Sequence, residues 1–340
     1  MSDQSKATVG VALAANVGVG LAKLVGGAIT LSPSLLAEAA HSVADTLNEI
    51  FLLASLKKAE RPADRSHPFG YGKERFFWSL LAAVGIFLSG AGFSILEGVY
   101  TLITKQREET GYAIVYVVLA ISFVLEGASL RTALRQVRQE AAEASRPLLT
   151  FVRRSPDPTV KTVASEDSVA VIGVVFAFVG TLLHQLTGSA AYDAGASIAI
   201  GLLLGYVAFA LGRDTKDLLI GESADPVLRL EAYRIIEADP GIVGVSDMLT
   251  MQLGPDSVLL AAHVDVDDRL NGGEVEQMAD RIESELQRRL PTVRHVFLDP
   301  ANITDEAAER QAGRLRVTEE EVAGLDGQQR VDDLKAITSG

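Results

Sequence analysis

The chain has 340 residues, 48% hydrophobic and 22% charged, too apolar for a disordered protein and too charged to lie in a membrane throughout. Its net charge of −13 sits in the last third: residues 1–213 hold 18 basic against 17 acidic side chains, and residues 214–340 hold 13 against 27. That balance excludes a basic nucleic-acid surface, and the absence of cysteine excludes disulfides, thiolate metal sites and cysteine nucleophiles.

The first ten residues are polar and lack a cleavage motif, so no cleavable signal peptide is expected and the first apolar segment is read as the insertion signal. A bilayer core takes roughly 20 apolar residues per helix. Six runs reach that length, at about 8–29, 34–56, 76–103, 111–131, 164–186 and 192–212. Span 1 carries Lys23 among glycines that suit close helix packing. Span 2 opens with Ser32 as helix cap and Pro33 in its first turn, then carries Glu38, His41, Asp45 and Glu49. Span 3 holds Glu97 and span 4 holds Glu126. Both are read first as helix-pairing groups inside the bundle, partnered by Lys23 or by polar side chains, and second as proton-path groups. Span 5 opens on Glu166-Asp167-Ser.

Basic residues crowd two connections. Lys57, Lys58, Arg61, Arg65, Lys73 and Arg75 lie between spans 2 and 3, and Arg135, Arg138, Arg146, Arg153, Arg154 and Lys161 between spans 4 and 5. Of the opposite connections, only the one after span 3 has any, Lys105 and Arg107. The positive-inside rule then puts both termini in the cytoplasm, and the membrane is expected to be a bacterial inner membrane.

After Arg213 the pattern becomes that of a soluble domain. Asp225–Ala238 reads as an amphipathic helix ended by Pro240-Gly241, Val243–Leu253 and Ser257–Val266 as strands, Glu274–Leu290 as a helix, and Val293–Leu298 as a strand. The fold class is therefore an α-helical membrane protein of six transmembrane helices with a small α/β (αββαβ) cytoplasmic domain. The expected domains are 1–213 in the membrane, 214–300 as the αββαβ domain, and 301–340 as an acidic flexible tail with room for one short helix.

A charge at the bilayer centre costs a few kcal/mol or more, so such residues are rare and usually functional. His41 and Asp45 stand four apart and share a helix face, which lets them grip one ion. The plainer reading of His41 is a buried histidine bonded to a carbonyl. A carboxylate one turn away in an apolar helix favours the ligand. With an acidic partner from a second helix, the pair points to a cation site inside the membrane. Neither a Ser/His/Asp set nor His-Glu-x-x-His is present, so no enzyme is expected.

Four strings carry a family resemblance: Lys23-Leu-Val-Gly-Gly-Ala-Ile-Thr, His41-Ser-Val-Ala-Asp, His67-Pro-Phe-Gly-Tyr-Gly-Lys-Glu and Gly92-Phe-Ser-Ile-Leu-Glu-Gly-Val-Tyr. With six spans and an αββαβ domain, residues 8–300 resemble a cation diffusion facilitator, the family of proton-coupled zinc and manganese exporters. Tyr71–Trp78 and Glu166-Asp167-Ser are most similar to the subgroup containing the mitochondrial zinc exporter. The resemblance implies a homodimer that exchanges a divalent cation for protons, with the cation as cargo and no other cofactor.

It also implies a tetrahedral transport site. His41 and Asp45 match the span 2 ligands and Asp167 the second span 5 ligand, while Val163 stands where the fourth is expected. Glu166, Asn16, Asn48 or water is left to fill the gap. Glu166 lies about 100° around the helix from Asp167 and needs local bending to join it. One imidazole with carboxylates suits Zn²⁺, and Mn²⁺ or Fe²⁺ if oxygen dominates. Two accessory sites of the family look degraded. Asp64 and His67 match loop ligands, but Tyr71 replaces a third. His263 and Asp299 match ligands of the cytoplasmic domain, whereas Glu276 and Phe297 stand where histidines are common, with His295 two residues away on the same strand face. The alternative function is a membrane-anchored metal sensor or scaffold with little transport.

Overall fold

Long apolar stretches separated by short polar connections leave the first 220 residues little choice but helix, because in lipid each backbone group must be satisfied within its own segment. The computed structural model describes residues 3–104, 111–143, 148, 151–152, 157–302 and 305–323. In the N-terminal part α1 spans Asp3–Thr30, α2 Pro33–Ala59, α3 Glu74–Gly85 and α4 Phe93–Thr104, the last two joined by a π-helical turn over Ile86–Gly92. Then come α5 (Tyr112–Glu143), α6 (Pro158–Thr187) and α7 (Ala191–Ile220). The described residues divide into two compact units. A helical one lies within Met1–Arg61, Glu74–Gln136 and Pro158–Lys216, and a second within Pro62–Lys73, Val137–Asp157 and Asp217–Gly340.

Among the described residues four stretches are long and apolar enough to cross a membrane: Glu74–Thr104, Tyr112–Ala142, Ser165–Thr187 and Ala191–Ile220. The 27-residue α2 is outside that class because it carries Glu38, His41, Asp45 and Glu49, and in α1 the apolar part among the described residues is Asn16–Thr30. The corner between α1 and α2 is tight. Leu31 takes a left-handed φ of 59°, Ser32 caps α2 by accepting from Leu35 N at 3.3 Å, and Pro33 begins the helix.

In the helical unit the π-turn lies against α2. A Cβ added at Gly90 would stand 3.7 Å from Ala44 Cβ and 3.2 Å from Leu204 Cδ1, so the turn packs closely beside the residue preceding Asp45. π-turns of this kind are rare and favour functional sites.

The second unit contains α8 (Pro226–Glu237), β1 (Ile242–Gly254), β2 (Ser257–Val266), α9 (Gly272–Arg289), β3 (Val293–Pro300) and α10 (Asp305–Ala323). The sheet order is β1-β2-β3, with β1 and β2 antiparallel and β2 and β3 parallel across the α9 crossover. Val258, Leu260, Ala262 and Val264 alternate inward from β2 onto Leu228 and Ile236 of α8 and Met278, Ile282 and Leu286 of α9. A capping box of Asn271 and Glu274 starts α9. On the opposite face Leu249 and Phe297 are exposed.

Two features of this unit add to the expected αββαβ core. Residues 301–340, expected as an acidic flexible tail with room for one short helix, contain the 19-residue α10 packed on the domain. Leu315, Thr318 and Val322 form an i, i+3, i+7 stripe against the core, and Arg314 pairs with Asp247 of β1. The loop 62–73 also belongs to this unit. Phe69 meets His295 edge-on at 5.1 Å and Phe297 at 6.4 Å between ring centroids. Gly72 lies so close to β1 that an added Cβ would sit 2.5 Å from Leu253 O.

Candidate metal site

Helical periodicity lines up Glu38, His41, Asp45 and Asn48 along one side of α2, where Glu38 meets Lys23 of α1 and Asn48 meets Glu166 of α6. His41 is 1% exposed and its Nδ1 lies 3.4 Å from Asp45 Oδ1. Neither His41 nitrogen, nor Asp45 Oδ1, has a hydrogen-bond partner among the described residues. Buried polar atoms are nearly always bonded, so an unsatisfied histidine beside an unsatisfied carboxylate calls for a further partner such as a cation.

From α6 the residue that faces α2 is Glu166. Its Oε2 accepts a 2.6 Å hydrogen bond from Asn48 Nδ2, while Oε1 is buried with no hydrogen-bond partner among the described residues. Asp167 turns toward α5, where Ser129 Oγ donates to it at 3.2 Å. This is the 100° step that separates neighbouring residues on a helix. Both carboxylates still act electrostatically on Asp45, so the three acidic groups share one region. They do not form a closed shell: among the described residues no three His, Asp or Glu side chains converge at metal-holding distance. What the sequence groups as one site is here two pairs, His41 with Asp45 and Asn48 with Glu166. The side chain of Val163 lies outside the described residues.

Of the other expected donors, Asn16 Nδ2 is bonded to Glu49 Oε1 at 2.5 Å. Lys23 is fully buried and bridges Glu38 Oε2 at 3.0 Å and Glu126 Oε1 at 3.2 Å, so Glu126 is its partner from span 4.

The accessory sets are sparser. Asp64 Oδ1 accepts from the backbone N–H groups of Ser66 and His67, and Oδ2 from Tyr71 Oη at 2.7 Å. The Tyr71 hydrogen bond, with the backbone ones, holds the Asp64 carboxyl below its usual range. His67 stacks on Tyr71 and its Nδ1 is 3.7 Å from Asp64, an arrangement that organises the turn with two candidate ligands. On the outer face of the sheet His263 Nδ1 lies 3.0 Å from Asp299 Oδ2, both well exposed and paired across β2 and β3. Glu276 is exposed on α9 and does not join them in a three-ligand group, and His295 is occupied against Phe69.

One site-positioning residue was absent from the sequence reading. Asp193, fully buried at the start of α7, accepts from Ser32 Oγ at 2.9 Å, Ser34 N at 3.2 Å, Thr181 Oγ1 at 3.1 Å and also Ser34 Oγ. It fastens the N-terminus of α2, two turns before His41, to α6 and α7, with its negative charge at the positive end of the helix. A lone carboxylate in the first turn of an apolar run was the available signal.

Two family models match the chain. Residues 9–220 match the cation efflux transmembrane domain and residues 225–299 the cation efflux protein cytoplasmic domain. The chain is 32% identical over 314 residues to the mitochondrial proton-coupled zinc antiporter SLC30A9 of Xenopus laevis, covering 82% of this chain and 56% of that protein. It is 31% identical over 310 residues to metal tolerance protein C4 of Arabidopsis thaliana, covering 79% and 68%, and 27% identical over 255 residues to the metal cation efflux system protein CzcD of Cupriavidus metallidurans, covering 74% and 73%. The chain spans about half the length of the vertebrate relatives it matches.

Proposed function

The chain belongs to the cation efflux, or cation diffusion facilitator, family of membrane transporters, and from that membership we propose that it is a homodimeric Zn²⁺/H⁺ antiporter that moves zinc out of the cytoplasm through a six-helix membrane domain. The observation that carries this reading is the buried His41–Asp45 pair on α2, whose unsatisfied atoms lie in one electrostatic neighbourhood with Glu166 and Asp167 of α6. Zinc is chosen because an imidazole with carboxylates suits it and because it is named in the vertebrate relatives; Mn²⁺ and Fe²⁺ fit the oxygen-rich remainder of the set.

His41, Asp45 and Asp167 are the assigned ligands, and Glu166 takes the place left by Val163. On this reading a modest turn or bend at the start of α6 brings Glu166 and Asp167 to His41 and Asp45 as one shell around the cation. Metal affinity falls as ligands protonate, and an imidazole titrates near neutral pH. On this reading proton arrival at the outer face expels the cation, and cation capture on the cytoplasmic side releases protons as the helices rock about the site. The two termini and the αββαβ domain lie in the cytoplasm of a bacterial-type cell, in line with the loop charges. Asp64 with His67, and His263 with Asp299 and Glu276, would be weak accessory binding points.

The test is zinc uptake into inside-out vesicles under an imposed pH gradient. His41→Ala with Asp45→Ala should abolish it, and full uptake by that double variant would refute the proposal. Zinc binding by the wild type without any flux would favour the sensor or scaffold instead.

A further inference from the structure

Lys23 of α1 stands between two carboxylates from different helices, Glu38 of α2 at 3.0 Å and Glu126 of α5 at 3.2 Å. Lys23 and Glu38 are wholly buried and the Glu126 side chain is 14% exposed. Taking the antiport reading above as its basis, we propose that the Lys23–Glu38–Glu126 triad carries an exchanged proton, on groups separate from the cation ligands.

The argument begins with charge. With every group ionised, the triad holds one ammonium and two carboxylates and keeps a net negative charge inside an apolar bundle, which is costly. One proton on either carboxyl leaves a neutral Lys⁺–Glu⁻ pair and a neutral acid. The geometry leaves a place for it, since Glu38 Oε1 is buried with no hydrogen-bond partner among the described residues. That oxygen sits in a notch beside Gly173 of α6, and with Glu38 held by Lys23 a Cβ added there would collide with it. The notch, the bridging lysine and the three-helix origin make this a built feature of the bundle.

Position supplies the coupling. Glu38 lies one turn before His41 on the same side of α2. Lys23 acts electrostatically on His41 and Asp45, and Glu126 acts on Asp45, Glu49 and Asp167. A divalent cation arriving at His41 and Asp45 therefore favours the ionised triad, and the proton leaves the carboxyl for water as H⁺. By linkage, reprotonation of the triad weakens the cation's hold by the same factor. No oxidant or further reactant is involved, and one proton moves for each cation bound.

Glutamine at either acid fixes the neutral form, because each variant keeps one Lys⁺–Glu⁻ pair with nothing left to titrate. The experiment measures protons released per Zn²⁺ bound by the purified full chain, by calorimetry in buffers of different ionisation enthalpy. Glu38→Gln and Glu126→Gln, made separately, should each still bind zinc and release about one proton fewer than wild type. An unchanged proton count in a zinc-binding variant overturns the proposal, as does loss of zinc binding in both, which would make the triad purely structural. Absence of proton release from the wild type would refute the antiport reading itself and is a separate outcome.

Discussion

Replacing Asp193 by asparagine tests whether the end of α2 that leads to His41 is held by the contacts described above. The carboxylate accepts from Ser32 Oγ, Ser34 N, Ser34 Oγ and Thr181 Oγ1 at a fully buried position. Asparagine keeps the shape, removes the charge, and turns one acceptor oxygen into a donor. That donor will face Ser34 Oγ and Thr181 Oγ1, hydroxyls that can rotate to accept, because the Ser34 backbone N–H at the other oxygen cannot. Hydrogen bonds to a charged group are worth about 1.5–3 kcal/mol and neutral ones about 1. With the lost helix-end interaction of up to ~1 kcal/mol, and because four bonds to one shared carboxylate do not add in full, the expected destabilisation is at the low end of their sum, about 2–4 kcal/mol. At roughly 2–4 °C per kcal/mol for a chain of some hundreds of residues, thermal unfolding of the detergent-purified protein should fall by about 5–15 °C. Thr181→Val, which loses one of these bonds, should fall by a smaller amount. A melting temperature for Asp193→Asn equal to wild type would refute the claim that this carboxylate anchors α2.

Further outcomes follow from other parts of the molecule. Glu166→Gln should weaken zinc binding by about tenfold or more, measured by calorimetry, because it removes the α6 charge nearest α2. Removal of residues 305–340 should leave zinc flux in place yet destabilise the αββαβ domain by on the order of 2–4 kcal/mol, read by denaturant unfolding of that domain, since the apolar surface of Val227, Leu230, Tyr233 and Met248 loses the cover of Leu315 and Val322. Phe69→Ala should loosen the loop from the outer sheet face and speed tryptic cleavage at Arg65, with a cost of about 1–2 kcal/mol for the lost aromatic contacts. Asp267, held by the Arg269 guanidinium and backbone, titrates at about 2, well under the ordinary value for aspartate. Its folded-state value is depressed, so its contribution to stability is complete above about pH 4 and disappears as pH falls toward 2. NMR titration of its carboxyl should show the low midpoint in wild type and a return toward the usual range in Arg269→Ala.

The pair His41–Asp45 was legible because four-residue spacing on a helix fixes a shared face whatever the tertiary structure. Which of Glu166 and Asp167 meets α2 was not, because adjacent residues differ only by helix phase and packing sets that phase. The need of Lys23 for an acidic partner could be read from its apolar surroundings, whereas the double bridge to Glu38 and Glu126 depends on three helices meeting. The strand and helix order from Asp225 to Pro300 followed from period and punctuation, notably the alternation of β2 and the stops at Pro240-Gly241 and Pro291. In the acidic tail the sequence leaves room for a short helix but not its length or seat, because Leu315 and Val322 are sparse around Glu319-Glu320-Glu321 and their value appears only once α8 and β1 offer a groove. The hub at Asp193 was hidden for a similar reason: its partners at Ser32 and Ser34 lie about 160 residues away along the chain.

The proposed function requires zinc to bind between α2 and α6 with His41 as its single imidazole ligand. Zinc K-edge absorption on the detergent-purified chain, loaded with less than one zinc per protomer so that the weak accessory points stay empty, addresses it directly. The account predicts one imidazole nitrogen with carboxylate oxygens at ~2.0–2.2 Å, and loss of the imidazole signature in His41→Ala. A spectrum with two or more imidazoles, or one that His41→Ala leaves unchanged, would contradict it.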